Sequence, residues 1–349
     1  MKNIYITLFL GLLLVGSSCS KTELSTTQED IIYVRSAGAD IPAYVFGNGA
    51  SKTFVVMIHG GPGGDGLEYR AGLSIKLLEE DYAFVYWDQR GQGMTHGAYS
   101  LDNLTVNTMA DDLYALVKTL RAKYGEDISV FLMGHSWGGT LGTAYMVREN
   151  YQNAIEGWIE VDGAHDIPML NKEGIQMFLT IGNDQVNKYA EAKDLWQEIL
   201  DFADSVDTSN ISTDESQKIN DYGFKAEGYI QEITQDTSNT YLNSFTWFTN
   251  PSNILINKSN NNNTAQQLMN EVESMSLTNQ LHKITAPTLL LWGKYDFVVS
   301  PALAYSAYSL INSPDKELVI FDHSGHSPMD NEPLLFVQVV QDFIEKHKK

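Results

Sequence analysis

The chain is poor in cysteine and in basic residues. Cys19 is the single cysteine among 349 residues, and it sits near the N-terminus. The rest of the chain can therefore form no disulfide and no thiolate metal site. Lysine and arginine number 23 against 44 aspartates and glutamates, for a net charge of -21. Such a surface repels phosphate backbones, which argues against nucleic-acid binding. No internal repeat is visible. What is present is a composition 43% hydrophobic and 19% charged. That suffices for a large core in one big domain with an insertion.

Residues 1–19, MKNIYITLFLGLLLVGSSC, hold one lysine, an apolar run and then small residues. The apolar run is short and polar sequence follows promptly, so the stretch reads as a signal peptide rather than a membrane span. Cys19 ends the small residues, where a bacterial lipoprotein signal carries its lipidated cysteine, although Gly16 stands where such signals usually have Leu. Ordinary secretion with Cys19 removed is the alternative. The expectation is an exported protein facing the periplasm or cell exterior, in contact with a membrane only through a lipid on Cys19. Polar residues 20–30 are expected to form a flexible tether.

Eight β-rich runs follow, at 31–36, 42–47, 53–59, 82–87, 128–133, 157–161, 287–292 and 317–321. The first two alternate, as in a hairpin with one wet face. The later ones are nearly continuous apolar runs, expected of parallel strands covered on both faces. Helical patterns lie between them; in 107–124, Met109, Leu113, Leu116, Val117 and Leu120 fall on one face. Strand–helix alternation predicts an α/β fold with a mostly parallel twisted sheet flanked by helices. It stops across 165–282, which reads as an inserted helical cap between core segments 31–164 and 283–349. A cap there would cover the carboxyl edge of the sheet, where open α/β sheets bind ligands.

Gly134-His135-Ser136-Trp137-Gly138 follows a buried strand and precedes a helix. This G-x-S-x-G pattern suits a nucleophile on a sharp strand-to-helix turn, where neighbouring Cβ atoms would clash. Serine needs a base, and the base an orienting acid. Asp296 and His326 follow the last two strands, in the order such a sheet requires. Asp322 and His323 are the rivals, with His323 equally readable as a loop histidine bonded to backbone. The glycine-rich IHGGPGGDG from Ile58 supplies a second oxyanion donor, Gly61, beside the backbone N–H of Trp137. Asp88 and Arg90, in WDQRGQGMTHG, are expected to brace that loop.

HGGPG, DQRGQG, GHSWGG, the Asp296 loop and GHSP occur in the order found in the α/β-hydrolase superfamily. Within it the chain resembles the proline iminopeptidase branch of serine peptidases over Ile31–Asp166 and Ala286–Lys349. The resemblance implies an α/β-hydrolase fold, a helical cap, an aminopeptidase that releases N-terminal residues, typically proline, from short peptides through an acyl-enzyme, and no metal or organic cofactor. The branch commonly has glycine where His135 stands, and its cap usually carries a Trp-x-x-Trp-Glu pattern that is missing here.

Residues 165–282 hold 17 aspartates and glutamates against 6 lysines and no arginine. An acidic roof favours a cationic substrate end, such as a peptide's N-terminal amine. Glu227 and Glu232 are the carboxylates expected to face the pocket. A carboxylesterase or amidase on small acyl substrates is the second reading, and the aromatic residues Trp196, Phe245, Trp247 and Phe248 suit either. A non-catalytic binding protein on the same fold is the distant third. No oligomeric state follows from the sequence.

Overall fold

A computed structural model describes residues 23–148, 150–189, 192–230, 232–233, 264, 267–268 and 271–349. Nine strands form one sheet: β1 (Gln28–Ser36), β2 (Ala39–Gly47), β3 (Thr53–Ile58), β4 (Ala83–Trp87), β5 (His96–Gly97), β6 (Ser129–His135), β7 (Gly157–Val161), β8 (Thr288–Gly293) and β9 (Lys316–Phe321). Their order is β1-β2-β4-β3-β6-β7-β8-β9, with the short β5 paired to β2. β1, β2 and β4 are antiparallel neighbours. From β4 to β9 every pairing is parallel.

The parallel strands β3, β4, β6, β7 and β8 are buried at every position. That explains their uninterrupted apolar runs, because helices cover both faces. β9 is the edge and stays half-buried along most of its length. On one face α2 (Val106–Tyr124), capped by the Thr105 hydroxyl, buries Met109, Leu113, Leu116, Val117 and Leu120. α3 (Trp137–Met146) and α7 (Pro301–Leu310) join it there. On the other face lie α1 (Leu73–Asp81) and α9 (Pro333–His347), with the single-turn α8 (Pro328–Asn331) before α9.

Between β7 and β8 the chain forms α4 (Ile167–Lys188), α5 (Ala192–Ser205) and α6 (Thr213–Glu227). These helices have an apolar cluster of their own, built on Phe178, Trp196, Ile199, Ile219 and Phe297. Trp196 is fully buried within it, so its ring serves packing rather than a ligand. Phe245, Trp247 and Phe248 lie outside the described residues, as do Cys19 and the rest of the leader.

The tether expected over 20–30 ends earlier. Gln28, Glu29 and Asp30 already pair with Gly47, Phe46 and Val45 of β2. Asp30 also accepts from Tyr124 Oη at 2.8 Å and pairs with Lys123, and Leu24 packs on the core. These polar residues form a strand because its outer face is wet while Tyr124 and Lys123 hold Asp30 in place.

Arg90 is wholly buried and grips Asp112 in α2 through Nε and Nη2, at 2.8 and 2.6 Å; Nη2 also donates to Ser36 O. It thus ties the loop after β4 to α2 and to the β1–β2 turn. Truncating one partner of such a pair strands the other as an uncompensated buried charge. Arg90→Ala is expected to lower unfolding stability by about 3–5 kcal/mol in urea titrations. A double Arg90→Met, Asp112→Leu variant should recover most of that loss.

Candidate active site

The turn from β6 into α3 explains the glycines. Ser136 adopts φ 57° and ψ -121°, a strained conformation for a residue with a side chain. Backbone bonds pin it: Ser136 N–H donates to Val161 O at 3.0 Å, and Ser136 O accepts from Gly139 N and Ala164 N. A Cβ at Gly138 would fall on the carbonyl oxygen of Ile58 in β3, and one at Gly134 on that of Gly138. The sharp turn therefore fits only with glycine on both sides of the serine.

Ser136 is half-buried and lines a cavity of about 480 Å³. Gly61, Pro62 and Trp137 lie on the same wall. Trp137 is the first residue of α3, so its N–H is among the first-turn amides that lack an intrahelical acceptor. Gly61 has φ 128°, and a Cβ there would press on the N–H of Gly63.

Asp296 and His326 come together from the ends of β8 and β9. His326 Nδ1 lies 2.9 Å from Asp296 Oδ2, while Asp296 Oδ1 accepts from the N–H groups of Val298 and Val299 at 2.9 and 2.6 Å. Nδ1 is therefore the donor and Nε2 is left to accept a proton. Burial pulls the imidazole down, but the charges of Asp296 and Glu227 outweigh it, so His326 titrates above the ordinary histidine value. Among the described residues no hydrogen bond joins Ser136 Oγ to His326; resting enzymes often close that contact only with substrate bound.

The rivals fall elsewhere. His323 is exposed, and its Nδ1 lies 3.1 Å from the backbone oxygen of Glu232. Asp322 pairs with Lys294 at the surface.

His135, the departure from the iminopeptidase pattern, joins three loops. Its Nε2 lies 2.7 Å from His326 O, an acceptor, so Nε2 carries the proton. Nδ1 must then accept from Tyr69 Oη at 2.7 Å, and Tyr69 Oη accepts from Gly60 N–H at 2.9 Å. Burial, reinforced by His326, lowers His135 to about 3, which keeps it neutral. One oxygen of Asp162 and one ring nitrogen each of His135 and His326 lie within 4.8 Å of one another. Both His135 nitrogens are committed to hydrogen bonds, so this trio is not free to close around an ion.

The loop after β4 braces the glycine-rich loop after β3 and the start of α3. Gln89 donates to His59 O at 2.9 Å and accepts from Trp137 Nε1 at 2.8 Å; Gln92 Oε1 accepts from Gly63 N–H. Asp88 accepts from Gly66 and Met94 N–H. Of the two residues expected to brace the glycine-rich loop, Asp88 does so through Gly66, whereas Arg90 turns to Asp112 and Ser36 O; the two glutamines leave no such mark in the sequence.

Glu227 and Glu232 are not among the residues lining the Ser136 cavity. Glu227 accepts from the backbone N–H of His326 at 3.1 and 3.2 Å and of Phe297 at 3.2 Å. It clamps α6 onto both loops that carry Asp296 and His326, and burial plus the Asp296 charge push it up to about 8. Glu232 accepts from Gln185 Nε2 and Tyr189 Oη. Among the described residues, the carboxylates that line the cavity are Asp221 and Glu273.

A glycine-hinged serine, a histidine–aspartate pair on the last two sheet-end loops and this strand order belong together. The α/β-hydrolase fold family matches residues 53–333. This chain belongs to that family. It is 26% identical over 319 residues to the proline iminopeptidase of Saccharolobus solfataricus, covering 90% of this chain and 92% of that one. Among solved structures, the proline iminopeptidase of Mycobacterium smegmatis superposes with a TM-score of 0.58 at 16% identity, over 91% and 99% of the two chains. A thermophilic esterase from Thermogutta terrifontis does so at 0.56 and 18%, over 92% and 100%. The family and these relatives support a serine hydrolase.

Proposed function

We propose that the protein is a serine aminopeptidase acting on short peptides through an acyl-enzyme. Ser136 is the nucleophile, His326 Nε2 the base, Asp296 the orienting acid, and the N–H groups of Gly61 and Trp137 hold the oxyanion. In the first step Ser136 Oγ bonds to the carbonyl carbon as its proton passes to His326. The proton then goes to the departing amine. Water repeats the sequence on the ester and frees the amino acid.

The observation that carries the peptide preference is the cavity lining. Asp221 and Glu273 line the same cavity as Ser136, and no lysine or arginine is among its described lining residues. Thr213 Oγ1 donates to one oxygen of Glu273 at 2.6 Å, while its other oxygen is buried with no partner among the described residues. A buried carboxylate oxygen in want of a donor suits an ammonium group. The name of the Saccharolobus relative points the same way. The T. terrifontis neighbour keeps an esterase as the second reading.

The test is a panel of aminoacyl arylamides, proline among them, beside short-chain acyl esters. Hydrolysis of esters alone would overturn the aminopeptidase reading. Glu273→Gln is expected to raise KM for the arylamides by about tenfold, with kcat nearly kept and ester hydrolysis unchanged. Equal losses on both substrates would remove Glu273 from amine recognition.

A further inference from the structure

Asp162 directly follows β7 and is wholly buried beside the proposed triad. It holds φ 46°, a costly conformation for a residue with a side chain. The backbone around it is well pinned: its N–H donates to Leu291 O, and its Oδ1 accepts from Gly293 N–H at 2.9 Å. Its carboxyl sits in the His326 cluster, where one of its oxygens and one ring nitrogen each of His135 and His326 lie within 4.8 Å of one another, and the carboxyl of Asp296 stands within hydrogen-bond reach of it. Asp162 Oδ2 has no donor among the described residues.

Two ionised carboxylates cannot hold this contact, since each can only accept. Asp296 already accepts from three N–H groups, those of Val298, Val299 and the His326 ring. A proton on Asp162 Oδ2 resolves both facts. It gives the orphan oxygen a role and gives Asp296 a fourth donor.

We propose that Asp162 is a positioning residue which, as the neutral acid, donates its carboxyl proton to Asp296 and so moderates the negative charge that His326 feels. The inference rests on the triad reading above.

The charged neighbours fit. Asp296 faces Asp162 from the β8 end, His326 from the β9 end, His135 from the β6 end and Glu227 from α6. Glu160 and His165, on its own segment, pair with each other at 2.8 Å. Burial keeps His135 neutral, so no fixed cation among the described residues faces this carboxyl to stabilise a second carboxylate. Burial first, and then the Asp296 charge, hold Asp162 well above the usual carboxylate range.

The experiment measures the pH dependence of Ser136 labelling by a fluorophosphonate, which needs no knowledge of the natural substrate. Labelling falls at low pH as His326 becomes protonated. Asp162→Asn mimics the neutral acid, with an oxygen for Gly293 N–H and an N–H for Asp296. Its acid limb is expected to stay within about 0.2 of a pH unit of wild type. Asp162→Ala removes the donor, leaves the Asp296 charge unshielded and stabilises the imidazolium. Its limb is expected to move upward by about half a unit, or about threefold in rate on the limb.

A limb in Asp162→Asn that moves downward by half a unit or more would mean that Asp162 normally carries a charge, and would overturn the proposal. So would an Asp162→Ala profile identical to wild type. If the alanine variant does not fold, the asparagine variant decides alone. Wild-type protein that takes up no label would instead sink the nucleophile assignment, an outcome distinct from a misplaced limb.

Discussion

Ser136→Ala is expected to lower turnover by about four to six orders of magnitude with folding unchanged, because members of a catalytic triad act as a unit. Alanine keeps the Cβ, and with it the φ 57° strain and the backbone bonds to Val161, Gly139 and Ala164. Only Oγ is lost. A variant with native thermal unfolding and no detectable hydrolysis or fluorophosphonate labelling is the expected result. Retained hydrolysis would place the nucleophile elsewhere. Gly138→Ala is not an equivalent control, since its new methyl would meet the Ile58 carbonyl and disturb the sheet itself.

Much of this architecture is legible in the sequence because steric demands are local. The buried runs of β3, β6 and β8 show parallel strands directly. The glycines around Ser136 show a turn too tight for Cβ atoms. Asp296 and His326 stand out because each follows a strand end. The bonds that join these loops leave no local trace. His135 reaches His326 O across 191 residues, and Glu227 reaches the same residue's N–H across 99. A histidine in place of glycine, or an acidic helix, does not reveal which backbone it will meet. Asp162 is hidden in the same way, since one aspartate after a strand resembles any other until its neighbour is known. The acidity of the insertion was readable, but which carboxylates face the cavity depends on helix rotation. Asp221 and Glu273 line it, whereas Glu227 turns to the sheet-end loops.

His326→Ala is expected to be about as damaging as Ser136→Ala, while His323→Ala stays within about twofold of wild type. The contrast follows from what each residue contributes. His326 ties its loop down through backbone atoms, its N–H to Glu227 and its carbonyl to His135, and alanine preserves both. The loss therefore falls on the imidazole, the proposed acceptor for the serine proton. His323 is exposed, and its ring meets only the backbone oxygen of Glu232 among the described residues. Asp296→Asn extends the comparison. Its remaining oxygen can keep the Val298 and Val299 N–H bonds, which turns the amide N–H toward His326 Nδ1. That nitrogen must then accept, so the proton moves to Nε2 and the base is blocked. A loss of about 10⁴ in kcat is expected from such a tautomer inversion. Activity that survives His326→Ala but not His323→Ala would reassign the base to the outer loop and leave Asp296 without its partner.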